Sequence, residues 1–397
     1  MQFSNDNIFT TKVSDLISFG AFLGKYEAIS LQQDIKDKNG NILISAKRPL
    51  RESLLKSLLN RELASSYEIS LVISKDLKDA LAEKISKEFR RVINLNDFSF
   101  PAYLFEKKSI NMHRIIRVTL RNRFFMNYIT KVIYEDKKIK GHLMEVSAIA
   151  IGLMASIKGT EYKYSNFMRL FQAAMLHDYS ISDSSNWSDE EDFEGKTRHD
   201  MESANKISGN DLSPDIAEMI LKHNHLNQEY QNDDISSEDS WFNNTVKLGS
   251  AILNLTEYYT HAKRLITLQK NNKDEMGLVM YQLATQTEKG FFPKQLITVF
   301  EAFFRKYAVF FEYGKKIGAL QNECLHKKFA LAYPKPKATQ ILCKNSSTPC
   351  QLRLYGQPLM VVSSESDTWI RLGEKIPPGW HDKCHLSSKL PPPPDMF

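Results

Sequence analysis

The segment from His142 to Leu153, His-Leu-Met-Glu-Val-Ser-Ala-Ile-Ala-Ile-Gly-Leu, repeats apolar residues at helical spacing. Val146, Ile149 and Leu153 follow the histidine by four, seven and eleven positions. Side chains at these intervals share one face of an α-helix. The pattern therefore predicts a helix that turns His142 toward a protein core together with its apolar neighbours.

Two more predicted helices carry a histidine in the same way. Residues 166–178 place His177 on the face of Phe167, Leu170 and Ala174. A further helix opens with Ser213-Pro214, an N-cap followed by proline in the first turn, and turns His223 toward the core. A fourth helix, about 241–262, has the apolar stripe Leu248, Ile252, Leu255 and Tyr259, with Asn254 beside it. These segments predict a helical bundle.

The length and composition exclude a disordered or fibrous chain, since 42% of the 397 residues are hydrophobic and 25% are charged. We predict a mainly α protein with four parts: a small N-terminal α/β module (1–100), a helical linker (101–140), the helical bundle (141–330) and a C-terminal appendage (331–397). In the module, the runs 28–37 and 41–44 predict two strands joined by a tight turn at Asn39-Gly40. The appendage holds ten of the fourteen prolines and several β-prone runs.

The modest net charge of +6 hides an uneven distribution. Residues 179–240 carry sixteen acidic and four basic side chains, a net charge of −12, which leaves +18 for the rest of the chain. The acidic stretch favours a cation site. The basic flanks favour an acidic partner or a phosphate-bearing ligand, and no nucleic-acid polymer is predicted.

The cysteines and the N-terminus predict a cytoplasmic protein. All four cysteines lie after residue 323. The N-terminal residues lack the basic segment followed by an apolar segment that is typical of a secretory signal, so we expect none. The longest uncharged apolar stretch, 146–157, is about twelve residues, short of a membrane span. Free thiols are the expectation for the appendage, and a zinc site there is the alternative, with Cys343, Cys350, His381, Cys384 and His385 as its candidate ligands.

Three histidines on the core side of separate helices, one followed by an acid as His177-Asp178, indicate a shared metal ion. Each buried imidazole needs partners for both ring nitrogens, and one cation satisfies several imidazoles at once. Imidazole and carboxylate ligands suit iron, manganese, nickel or zinc. The alternative is a histidine-rich helical core without a metal.

The motifs resemble the HD superfamily of metal-dependent phosphohydrolases, in particular its HD-GYP domains. The resemblance rests on His142 to Ala150, Ala173 to Asp178, Arg198 to Ala204 and Ile220 to His225, and on an N-terminal segment, 34–44, that is similar to a module often found before HD-GYP domains. It implies metal ligands at His142, His177, Asp178, His199, His223 and Asn254. It also implies divalent metals, iron or manganese, a catalytic Asp178 that orients a metal-activated water, and hydrolysis of a cyclic dinucleotide such as cyclic di-GMP.

The chain departs from the family pattern at three places. The lysine expected shortly after the His-Asp pair is missing from 179–181, and 226–234 replaces the Gly-Tyr-Pro loop. Asn254 stands for the closing aspartate, with Glu257 one turn later as an alternative carboxylate. The acidic run 188–194 is either a solvated loop or a source of one more ligand. These departures leave a second hypothesis open: a degenerate domain that binds a nucleotide or a protein partner without turnover, through the N-terminal module or the appendage.

Overall fold

The computed structural model describes most of the chain. The described part excludes residues 5–6, 60–67, 94–98, 106–109, 136–138, 160–161, 183–198, 224–241, 269–274, 324–328, 333–339, 344–352, 362–378 and 390–397.

The N-terminal region combines short strands with helices. Its strands are β1 (Gln2–Phe3), β2 (Ile8–Thr10), β3 (Ile35–Lys36), β4 (Ile42–Ile44) and β5 (Ile69–Ser70). Its helices are α1 (Val13–Leu23), a 3-10 turn (Tyr26–Ala28), α2 (Glu52–Leu58) and α3 (Lys75–Val92). Strands β1, β2 and β5 form one antiparallel sheet in that order. Buried apolar residues of these elements belong to the same core as the helices that follow.

The predicted turn at Asn39-Gly40 does join two antiparallel strands, β3 and β4. Gly40 supplies a left-handed φ of +83°, which glycine adopts without strain. The pairing continues beyond these short strands: Ser30 bridges Pro49 in the same antiparallel register, and the Leu50 N–H donates to the Ile29 carbonyl. Residues 29–31 therefore extend the hairpin as predicted, whereas Ala28 lies in the 3-10 turn before it.

The rest of the described chain up to residue 323 is helical. The helices are α4 (Phe100–Phe105), α5 (Met112–Thr119), α6 (Arg123–Tyr134), α7 (Ile139–Lys158), α8 (Tyr164–Leu176), α9 (Tyr179–Ser182), α10 (His199–Ile207), α11 (Pro214–Lys222), α12 (Thr245–Leu268), α13 (Glu275–Glu288) and α14 (Lys294–Glu323). Ser213 is the N-cap residue of α11 and Pro214 follows it, as predicted.

Helices α7, α8, α11 and α12 pack against one another, and α10 packs on α11. Two glycines allow close approach in this bundle. A Cβ on Gly249 of α12 would lie 2.8 Å from Sδ of Met219 on α11, and one on Gly152 of α7 would lie 2.7 Å from Cβ of Leu104 on α4. The packing brings the histidine-bearing faces of the predicted helices toward one interior.

The C-terminal part contains the four-stranded antiparallel sheet β6-β7-β9-β8. The strands are β6 (Phe329–Ala332), β7 (Gln340–Cys343), β8 (Arg353–Val361) and β9 (Gly379–Cys384), followed by a 3-10 turn (His385–Lys389). The β-prone runs 351–355 and 359–362 fall largely within the single strand β8, whereas 369–372 lies outside the described residues.

The mainly α prediction is confirmed: the described chain is mostly helical, with a small strand region at its N-terminus. The division into four parts stays a prediction. Among the described residues, no helix is both long and apolar enough to cross a membrane.

Candidate metal centre

Five of the six predicted ligands, together with Glu257, converge in the interior of the bundle. His142 comes from α7, His177 and Asp178 follow α8, His199 opens α10, His223 follows α11, and Glu257 comes from α12. All six residues are at most 8% exposed. Ionisable side chains are rarely buried to this extent without a compensating partner.

The six residues form two groups of three. The first ligand group is His142, His177 and Asp178, and the second ligand group is His199, His223 and Glu257. Within each group, one ligand atom per residue lies within 4.8 Å of the others. The imidazole rings also adjoin across the groups, since the ring centroids of His177 and His223 are 5.7 Å apart.

Backbone carbonyls fix which ring nitrogen of two histidines carries hydrogen. His177 directs Nδ1 at the Ala174 carbonyl oxygen, 2.9 Å away, and His223 directs Nδ1 at the Ile220 carbonyl oxygen. A carbonyl only accepts, so each Nδ1 must donate, and in the neutral ring Nε2 then presents a lone pair. Histidine ligands of metals commonly make this kind of outer hydrogen bond.

His142 has the same arrangement through a hydroxyl. Thr260 donates its hydroxyl hydrogen to the Glu257 carbonyl at 2.8 Å, and the same oxygen lies 3.5 Å from Nδ1 of His142. Because the Thr260 hydroxyl already donates its hydrogen to Glu257, its oxygen can only accept a hydrogen bond from Nδ1 of His142. In the neutral ring, Nε2 of His142 therefore also presents a lone pair, 3.3 Å from Oδ2 of Asp178.

The inward atoms of the second ligand group face each other at contact distance. Nε2 of His223 and Oε2 of Glu257 are 2.8 Å apart, and neither atom has another hydrogen-bond partner within the described residues. A lone pair and a carboxylate oxygen at this distance repel unless a proton or a cation lies between them. The residues present therefore fit a cation at this point.

Asp178 lies between the two groups. Its Oδ2 atom is 3.2 Å from Nε2 of His177 in the first ligand group, and its Oδ1 atom is 3.5 Å from Nε2 of His199 in the second. Oδ1 is buried without a hydrogen-bond partner in the described chain. One carboxylate thus directs a separate oxygen at each group, which is the arrangement of a bridging ligand.

The electrostatics of the cluster without a cation show how strongly it attracts positive charge. Burial raises the pKa of Asp178, but the neighbouring charge of His177 and hydrogen bonds from the histidines outweigh burial and hold that pKa well below its usual value. Burial lowers the pKa of His177, but the charge of Asp178 raises it to about 9. Burial raises the pKa of Glu257 as well, and the charges of His223 and His177 bring it well below the usual range. Both carboxylates are therefore ionised at neutral pH.

Asn254, the predicted sixth ligand, lies one turn before Glu257 on α12 and is 4% exposed. Its Nδ2 donates to the Phe291 carbonyl at 3.0 Å, while its Oδ1 is buried and lacks a hydrogen-bond partner among the described residues. Its role as a ligand stays a prediction. The carboxylate that the structure brings into the second ligand group is Glu257, the alternative.

Residues 179–181, where the HD resemblance leads one to expect a lysine, carry two apolar side chains that pack in the structure. Ile181 packs against the core, and Tyr179 packs on the rings of Phe124 and Tyr128, with centroids 5.2 and 5.0 Å away. The acidic run 188–194 and the segment 226–234 lie outside the described residues, as does Cys350 of the alternative zinc site.

No family model, no curated protein and no solved structure matches this chain. The functional interpretation therefore depends on the geometry of the two ligand groups and on the HD-like motif.

Proposed function

We propose that the protein is a divergent HD-type, metal-dependent phosphodiesterase that hydrolyses a cyclic dinucleotide such as cyclic di-GMP. The observation that carries the proposal is the position of Asp178, which directs one oxygen at each of two ligand groups. Many enzymes that hydrolyse phosphodiesters use two adjacent cations to activate the attacking water and to stabilise the leaving oxygen.

The donor set suits iron, manganese, nickel or zinc, and among these the HD resemblance favours iron or manganese. Each group offers two imidazole nitrogens and carboxylate oxygen, and the described part of the cluster contains no thiolate. When bound, divalent cations of this kind lower the pKa of a coordinated water toward neutrality and withdraw charge from the phosphate oxygens.

The chain's own residues hold and orient the reacting groups. The outer hydrogen bonds of His177 and His223 to backbone carbonyls keep Nε2 of each ring directed inward. Because the pKa of Asp178 is held low, its carboxylate stays ionised and would serve as a ligand and as a hydrogen-bond acceptor for the attacking water. Hydrolysis joins the water oxygen to phosphorus and breaks one phosphorus–oxygen bond of the cyclic dinucleotide, and the released sugar oxygen takes up the proton that the water loses.

The metal site and the activity are tested on one preparation. We expect purified protein, loaded under reducing conditions with iron or manganese, to hold metal by mass spectrometry and to convert cyclic di-GMP to a linear product. His177→Ala should lose both properties. His113→Ala is the matched control, because this histidine is exposed and contacts Ser86, away from the cluster. Metal content that is negligible, and the same in wild type and His177→Ala, would refute the proposal.

The second candidate function is binding without turnover. It is favoured by the apolar Ile181, since the described sequence after the His-Asp pair brings no ammonium group to neutralise a phosphate. Tight binding of cyclic di-GMP by the metal-loaded protein with no linear product would support this receptor function over the enzyme.

A further inference from the structure

Two serines connect the ligand groups through a chain of hydroxyl hydrogen bonds. Ser180 lies on α9, two residues after Asp178, and Ser203 lies on α10, one turn after His199. The backbone N–H of Ser180 donates to Oγ of Ser203 at 2.9 Å, and that hydroxyl donates to Oγ of Ser180 at 3.0 Å. Ser180 in turn donates its hydroxyl to the backbone carbonyl of His199 at 3.1 Å.

Each hydrogen in this chain has a defined acceptor, so the orientation of both hydroxyls is determined. Ser203 is fully buried, and water cannot replace a partner that is removed there. The chain begins at the backbone beside Asp178 and ends at the backbone of His199. The side chains of these two residues approach each other across the groups, with 3.5 Å between Oδ1 of Asp178 and Nε2 of His199.

We propose that Ser180 and Ser203 are positioning residues that hold His199 in register with Asp178 and thereby set the spacing of the two cations. This inference rests on the proposed two-cation centre. Neither serine reaches a cation itself; each acts through the backbone of a ligand. Loss of a hydrogen bond to a ligand's own side chain typically weakens metal binding by about 10- to 100-fold, and we expect the lower end of that range here because the serines act through the backbone.

The probe is manganese, because a pair of Mn²⁺ ions bridged by a carboxylate shows an exchange-coupled electron paramagnetic resonance spectrum, whereas isolated ions do not. Titration of the full-length wild-type protein should give two bound ions with the coupled spectrum. Ser203→Ala and Ser180→Ala should each bind the second ion about tenfold or more weakly and lose most of the coupled signal. The double variant should lose little more than either single variant, since both hydroxyls belong to one chain.

Two further variants separate positioning from a general loss of stability. Ser180→Thr keeps a hydroxyl at a half-buried position and should restore the coupled spectrum. Ser208→Ala removes a hydroxyl that donates to the Ala204 carbonyl at 2.7 Å, and it should behave as wild type.

The outcomes distinguish the two proposals. A wild-type protein that never shows a coupled pair would overturn the two-cation centre and the positioning role with it. A coupled pair in wild type that persists at unchanged affinity in both alanine variants would overturn the positioning role alone. The positioning role would also be overturned if Ser208→Ala lost the coupled signal as completely as Ser203→Ala.

Discussion

Replacing Glu257 with glutamine removes one negative charge from the second ligand group and keeps the size of the side chain. Glu257 is 4% exposed, its Oε2 atom lies 2.8 Å from Nε2 of His223, and its Oε1 atom lies 3.6 Å from Nε2 of His199. Its pKa is held low because the charges of the neighbouring histidines outweigh burial. The substitution therefore removes a charge that is present at neutral pH.

The size of the effect follows from the charge. Two unit charges 4 Å apart interact by about 4 kcal/mol at an effective dielectric constant of about 20. A divalent cation beside the carboxylate doubles that interaction, and the amide oxygen of glutamine recovers part of it. We therefore expect the affinity of the second ligand group for manganese to fall by at least about 100-fold, or about 2.7 kcal/mol.

Metal-dependent stability gives a direct assay, because a ligand that binds only the folded state raises the free energy of unfolding. At a free manganese concentration about 100 times the wild-type dissociation constant, the second site should contribute about 2.7 kcal/mol in wild type and about 0.4 kcal/mol in Glu257→Gln. Urea unfolding of each protein, in chelator and in buffered manganese, measures that difference.

The matched control is Glu145→Gln, which removes a carboxylate from helix α7 that pairs with Lys263 at 2.8 Å and belongs to neither ligand group. This variant should keep the full manganese stabilisation. If Glu257→Gln gained as much stability from manganese as wild type, the assignment of Glu257 as a ligand would be wrong.

Three more predictions concern the packing of the bundle, the pH dependence of manganese binding and the pH dependence of stability. Gly152→Ala should lower the free energy of unfolding by about 1–3 kcal/mol, because the new Cβ would lie 2.7 Å from Cβ of Leu104. Gly141 lies on the same helix and is exposed, and a Cβ there would meet nothing within 4 Å, so Gly141→Ala should raise the free energy of unfolding by up to about 1 kcal/mol. Urea unfolding midpoints measure both changes. The apparent affinity for manganese should rise with pH and level off above about pH 9. Burial lowers the pKa of His177, but the charge of Asp178 outweighs burial and raises that pKa to about 9, so metal binding must displace a proton. Calorimetry in two buffers should detect the proton release, and an affinity independent of pH would contradict the prediction. The stability of the metal-free protein should instead fall as pH rises. The raised pKa of His177 stabilises the fold fully below pH 6.5, the pKa in the unfolded chain, and this stabilisation is lost as the pH rises through about 9. Urea midpoints that stay constant over this interval would count against the prediction.

The helices of the bundle were predictable because their periodicity is local. The predicted helix at 166–178 corresponds to Tyr164–Leu176, and the helix at 241–262 to Thr245–Leu268. Short strands were less predictable, because strand pairing depends on distant segments. Residues 30–32 illustrate this, since Gln32 donates to the Ser70 carbonyl and Ser30 accepts from Val72, both far along the chain from the hairpin.

The sequence by itself determined which faces of the helices carry histidine, and hence that His142, His177 and His223 are buried together with apolar residues. Only the tertiary structure decided that Glu257 joins His199 and His223, that Asp178 directs an oxygen at each ligand group, and that Ser180 reaches the backbone of His199. The reason is physical: helical periodicity determines the direction of a side chain around its own axis, whereas distances between residues far apart in sequence depend on how the helices pack.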